Sequence, residues 1–159
     1  MIFLTVGSRY PFDRLVRLVD EWAAINMGVE VFAQIGDSSF QPKNFSYVKY
    51  LSVSDFRSRV AGCDFLVSHA GMGGILSASD YKKKIVVYPR LAEYGEVVND
   101  HQMDTLKMVS HLSFVFPALS KEELFCAVDE CLRFPVFTFG GEVSVSESLV
   151  VEIKKFINS

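Results

Sequence analysis

One stretch constrains this chain more than any other: residues 64–77, from Asp64 to Ser77. Phe65, Leu66 and Val67 form an apolar run too short for a helix and flanked by polar residues and glycine, which predicts a buried strand. Gly71, Gly73 and Gly74 let the main chain bend tightly and approach a ligand with no Cβ in the way. Ile75 and Leu76 then open an amphipathic helix that continues to Tyr81. A helix starting at such a turn aims unpaired N–H groups and the positive end of its dipole at whatever lies above the strand. That is a seat for a phosphate or diphosphate. Many glycine-rich turns bind nothing, so the rest of the chain decides.

The rest alternates strand and helix. Strands are predicted over 2–6, 29–35, 47–51, 85–88 and 114–116. Between them, a helix from Asp13 to Asn26 carries Leu15, Val16, Leu18, Val19, Trp22, Ala23 and Ile25 on one broad face and stops at Gly28. Ser54 is the expected cap of a short helix to Ala61, ended by Gly62. The run Lys82, Lys83, Lys84 reads as the solvated, cationic end of the helix after the glycine turn. A long loop from Arg90 to Val98 precedes a helix over 99–109, and Ser120 with Glu123 forms a capping box for a helix to Leu132. Residues 134–145 show no clean period, and a last amphipathic helix is expected over 146–157.

This order predicts an α/β domain with one doubly wound, Rossmann-like parallel sheet spanning 1–159. Ligands of such sheets sit beyond the carboxyl ends of the strands, near the switch in strand order. The rule gathers the segments at Gly7–Ser8, at Leu51–Ser52, at His69–Gly74 and at Pro89–Gln102 along one rim.

Charge and cysteine usage narrow the partners. The net charge of −3 argues against nucleic acid as the main partner. Half of the residues are hydrophobic, which fits a globular core. Cys63, Cys126 and Cys131 are odd in number and form no CxxC pair, so they read as reduced thiols of a cytoplasmic protein. The apolar start, Met1–Val6, is too short for a signal segment, and no stretch approaches the roughly 20 apolar residues of a membrane helix. Work at a membrane therefore needs a surface contact or a membrane-bound partner.

The rim segment Glu93–Gln102 is dense in hydrogen-bonding groups that suit the several hydroxyls of a sugar. Its bland reading is a polar loop with an Asn or Asp helix cap. No Asp-x-Asp pair and no zinc-like His/Cys/carboxylate spacing is present, so no metal and no cofactor is expected. Fixed N–H groups and a cation such as Arg9 or Arg90 are left to carry a diphosphate's charge. His69, alone after a buried strand, is more often a hydrogen-bonded structural residue than a catalyst.

Four stretches together carry a family resemblance: Thr5–Ser8, Gln34–Gly36, Ser68–Leu76 and Pro89–Gln102. In these, spread over about two thirds of the chain, the sequence resembles the nucleotide-sugar-binding half of glycosyltransferase family 28 enzymes, which have the GT-B fold. It is similar to the small subunit of two-part bacterial capsule and exopolysaccharide transferases. It is also similar to the eukaryotic catalytic subunit that adds the second GlcNAc to the dolichol-linked oligosaccharide.

The resemblance implies a site. Gly71, Met72, Gly73 and Gly74, with His69, would hold the diphosphate of a UDP-sugar. Gly7 and Ser8 would lie across the cleft mouth, and the main chain around Leu51 would meet the uracil. His101 and Gln102 would contact the sugar, in a pocket shaped by Glu96 and Asn99. Where relatives carry a glutamate for the ribose hydroxyls this chain has Ser77, and Asp80, one helical turn on, is the substitute.

It also implies a partner. A GT-B enzyme needs two α/β domains of roughly 100–200 residues each, and 159 residues supply one. The other half is expected on a membrane-associated, acceptor-binding subunit at the inner face of the membrane, acting on a polyprenyl-linked glycan. The reaction implied is inverting hexosyl transfer in polysaccharide biosynthesis. Its general base comes from the partner, with His69 and Asp100 as this chain's own candidates. Two alternatives stand beside it: a non-catalytic activating subunit of a partner transferase, and a free-standing UDP-sugar-binding domain.

Overall fold

The computed structural model describes residues 1–134. The expected last helix over 146–157 lies outside the described residues, as does nearly all of the unassigned 134–145 segment. Six strands form one sheet: β1 (Ile2–Thr5), β2 (Val31–Gln34), β3 (Ser46–Val48), β4 (Phe65–His69), β5 (Lys84–Tyr88) and β6 (Val115–Pro117). Their order is β3-β2-β1-β4-β5-β6, and every pairing is parallel. The helices are α1 (Asp13–Ile25), α2 (Val53–Gly62), α3 (Met72–Asp80), α4 (His101–Val109) and α5 (Lys121–Arg133). One 3-10 turn, Ala92–Tyr94, interrupts the long loop after β5.

Strand periodicity sorts the core into two layers. Ile2, Leu4, Phe65, Val67, Val86 and Tyr88 point to one face, where α1 and α5 cover them with Leu15, Val16, Trp22, Leu124 and Val128. Phe3, Leu66, Ile85 and Val87 point to the other, under Val60 of α2, Ile75 and Ala78 of α3 and Leu106 and Val109 of α4. Each such valine, leucine, isoleucine or phenylalanine contributes about 1.5–3 kcal/mol over leaving it in water. On the first face, Trp22 Nε1 donates to Asp129 Oδ1 at 2.9 Å and ties α1 to α5.

The described residues form the expected doubly wound fold, with three local corrections. The cap of α2 is Ser52, whose Oγ accepts from the Asp55 N–H at 3.1 Å, and Ser54 lies inside the helix. Gly62 is the last helical residue and not the residue that stops it. The lysine run is not a solvated helix end. Helix α3 stops at Asp80, Lys82 adopts a left-handed φ of 53°, and Lys83 Nζ donates to the Cys63 carbonyl at 2.7 Å. Lys84 is the buried first residue of β5 and donates to the Phe134 carbonyl. Strand pairing with Phe65 overrides the local charge pattern there. Cys63 and Cys131 are buried, Cys126 is exposed, and all three thiols are free. No helix among the described residues is long and apolar enough to cross a membrane.

Candidate functional site

The strand order reverses between β1 and β4, and there the loops after the two strands part. A cleft of about 770 Å³ opens at this point. Its lining includes Gly7, Ser8, Leu51, His69, Gly71, Met72, Gly73, Gly74 and Arg90, so nine of the residues predicted from sequence come together. Helix α3 gives the cleft both its N-terminus and one long face, since Gly73, Ser77 and Asp80 recur at helical spacing along it and Tyr81 follows at its end. Val53, Phe56 and Arg57 of α2 also line the cleft.

The first turn of α3 begins at Gly71, which makes no side-chain cap, and carries no acidic residue. Its N–H groups therefore depend on what enters the cleft. Gly74 packs against β4, where a Cβ would meet Ser68 Oγ at 2.9 Å; Gly73 has no neighbour within 4 Å of a Cβ and is exposed. Ser77 Oγ donates to the Gly73 carbonyl at 2.8 Å. Three arginines, Arg9, Arg57 and Arg90, line the cleft against one carboxylate, Asp80, which gives it a positive balance.

His69 ends β4. Burial, and then the charge of Arg90, lower its pKa to about 4, against a smaller opposing effect of a hydrogen bond to the Thr5 main chain. The ring is neutral at physiological pH. Ser68 Oγ lies 3.3 Å from Nδ1.

Two polar residues hold the cleft in shape: Gln34, part of a matching stretch but assigned no site role from sequence, and Arg14, which sequence reasoning passed over. Gln34 is buried at the end of β2; its Nε2 donates to the Gly7 carbonyl at 3.3 Å and its Oε1 accepts from the Leu51 N–H at 3.0 Å. The Leu51 N–H is thus committed within the protein. Arg14 makes a bidentate pair with Glu96, at 2.8 and 2.9 Å, inside a cage of Phe12, Tyr88 and Tyr94 rings. A buried polar residue closing a strand was the available signal for Gln34; nothing local marks Arg14.

The segment after Arg90 sits beside the cleft and not in its wall. Glu96 is spent on Arg14 and on the Leu91 N–H. Asn99 Oδ1 accepts from the His101 N–H at 3.2 Å, and Asp100 Oδ1 from the Ala92 N–H at 2.9 Å. Gln102 Oε1 accepts from the Arg90 N–H at 2.9 Å. His101 is exposed, with Nδ1 3.8 Å from Asp104. These five predicted site residues shape the rim loop in this structure. Among the described residues, no three His, Cys, Asp or Glu side chains group to hold a metal ion.

The fold and its cleft define a Rossmann-like α/β domain, one half of a GT-B fold. The chain belongs to the glycosyltransferase family 28 C-terminal domain family, whose sequence profile matches residues 1–139. Solved structures agree on the fold. The glycotransferase of kitacinnamycin superposes with a TM-score of 0.62 at 20% identity, over 81% of this chain and 34% of that one. The solution structure of ALG13 gives 0.65 at 17% identity, over 99% and 96%. MurG of Acinetobacter baumannii gives 0.58 at 16% identity, over 82% and 40%. The chain thus spans about a third of the length of the kitacinnamycin enzyme. No curated protein matches it by sequence.

Proposed function

We propose that this chain is the donor-binding, catalytic half of a two-component inverting glycosyltransferase. It moves a sugar from a UDP-sugar to a hydroxyl of a lipid-linked glycan, in polysaccharide biosynthesis at the cytoplasmic face of a membrane. The observation that carries the reading is the glycine-rich first turn of α3, without a side-chain cap, facing a positively balanced cleft at the switch point.

The donor's diphosphate lies against the amides of Met72, Gly73 and Gly74, with Arg9, an exposed arginine of the lining, as its cation and no bound metal. The nucleoside runs along α3, with uracil at the Leu51 end. Asp80 accepts from the ribose hydroxyls, because the Ser77 hydroxyl is directed at the Gly73 carbonyl. The sugar points to the mouth, toward Gly7, Ser8 and the His101–Gln102 side of the rim.

In the chemical step the acceptor oxygen bonds to the anomeric carbon as the bond from that carbon to the diphosphate breaks. UDP leaves with the bonding electrons, and the helix-end amides stabilise the charge it gains. The acceptor's proton passes to a general base on the partner subunit. Asp100 is the fallback on this chain; its Oδ1 already holds the Ala92 N–H.

The coverage of relatives supports the two-part reading. The chain matches 34–40% of the kitacinnamycin enzyme and MurG but 96% of ALG13. Calorimetric titration of UDP and UDP-sugars into the purified chain, followed by turnover assays of each subunit alone and mixed, tests the proposal. Binding of UDP here and activity only on mixing are expected. Full activity of the partner alone would make this chain an activator instead.

A further inference from the structure

Three glycines of the cleft divide into two kinds. Gly73 faces open space. Gly7 and Gly71 face the same imidazole: a Cβ on Gly7 would sit 2.7 Å from His69 Cε1, and a Cβ on Gly71 would sit 2.1 Å from Nε2. Real Cβ atoms do not approach so closely, so His69 and these two glycines are mutually required.

The two glycines belong to different loops, 64 positions apart in sequence, on either side of the switch between β1 and β4. Both main-chain pieces matter to the cleft. Gly71 caps α3, so its position aims the first-turn amides. Gly7 has a φ of 76°, receives a hydrogen bond from Gln34 at its carbonyl, and donates its N–H to Thr5 Oγ1 at 3.2 Å.

We infer that His69 is a spacer: its ring sets the separation of the Gly7 and Gly71 main chains, and so the width of the phosphate end of the cleft. It is a positioning residue and does not take the acceptor's proton. Ser68 Oγ stands 3.3 Å from Nδ1, and Nε2 lies on the Gly71 side, where a Cβ would come within 2.1 Å of it, so both nitrogens face the protein's own groups. The low pKa agrees, because a group half-protonated near pH 4 is a weak base at neutrality. This inference rests on the reading of the cleft as a diphosphate site.

The test compares His69→Ala, His69→Gln, Gly71→Ala and the double variant His69→Ala/Gly71→Ala, in the full chain, by UDP calorimetry, with urea unfolding to confirm the fold. His69→Ala is expected to weaken UDP at least tenfold. His69→Gln, which fills space without titrating, is expected to restore affinity to within about threefold. Gly71→Ala is expected to cost at least tenfold with the imidazole present and little once it is gone. Turnover with the partner should keep the same pH profile from 5.5 to 8.5 in wild type and His69→Gln.

An equal cost of Gly71→Ala in both backgrounds would overturn the spacer. So would a folded His69→Gln that binds UDP normally yet loses turnover and one limb of the pH profile, which is the signature of a base. If His69→Ala does not fold, the Gln variant decides alone, since poor UDP binding by a folded Gln variant also overturns it. Wild-type protein that binds no UDP removes the functional reading and this one together; wild type that binds, with the pattern above missing, removes only this one.

Discussion

Arg90 Nη2 donates to the Val6 carbonyl at 2.7 Å, joining positions 84 residues apart. The same guanidinium reaches the Tyr10 carbonyl at 2.5 Å and the Pro11 carbonyl at 3.4 Å, and lies 4.9 Å from the Phe12 ring. It is 2% exposed, and burial lowers its pKa to about 10, so it stays cationic at neutral pH. From the loop after β5, Arg90 therefore pins the loop after β1. Arg14 of α1 returns the hold: it donates to the Pro89 carbonyl at 2.9 Å as well as to Glu96.

Arg90→Ala should leave three carbonyls without their donor. A loss of about 3 kcal/mol in unfolding free energy is expected, from the stranded buried Val6 carbonyl and the lost bonds to the part-buried Tyr10 and Pro11 carbonyls. Arg90→Lys should recover only part, because an ammonium cannot reproduce the planar fork. Urea unfolding measures both. An unchanged midpoint for Arg90→Ala would mean that the loop does not need its pin.

Gly73→Leu should separate binding from stability. The position is exposed in the first turn of α3 and a Cβ there meets nothing, so helix propensity favours leucine over glycine by no more than about 0.8 kcal/mol. The side chain should nevertheless shield the first-turn amides. UDP affinity is expected to fall at least tenfold while the melting temperature holds or rises. Undiminished affinity with an intact fold would move the diphosphate elsewhere.

Asp80→Ala should read on the sugar of the nucleotide. UDP is expected to weaken several-fold and 2′-deoxy-UDP much less, as measured by calorimetry on wild type and variant. Equal losses for both ligands would show that Asp80 does not meet the 2′-hydroxyl.

His69 should also give the protein an acid-sensitive interval. Its pKa is near 6.5 unfolded and about 4 folded, so between these values the unfolded chain binds more protons. The contribution is whole above pH 6.5 and is lost as pH falls toward 4, at no more than about 1.4 kcal/mol per pH unit. Urea midpoints of wild type minus those of His69→Gln, taken from pH 7.5 to 4, isolate the effect from the carboxylates. A flat difference would contradict a half-buried, neutral ring.

Much of this arrangement was legible in the sequence because it is local. The apolar run of Ile2 through Val6, the one-sided α1 and the Ser120 cap before Glu123 each report on a single element, and the structure forms all three. The glycine turn after β4 was legible for the same reason. Lys84 was not, because partners on β4 and near Phe134 decide its burial. The rim was legible only in part. Glu96, Asn99, Asp100 and Gln102 carry the chemistry that a sugar needs, but sequence does not show that Arg14, Ala92 and Arg90 already occupy some of those groups.

The bare start of α3 has a thermodynamic corollary. On the proposed reading, a helix whose opening donors meet an incoming anion couples its own cohesion to cargo: at a concentration a hundredfold above Kd, a bound nucleotide would add about 2.7 kcal/mol against unfolding. Heat tolerance would then be a gauge of occupancy, rising as the proposed donor loads and relaxing as the spent nucleotide departs.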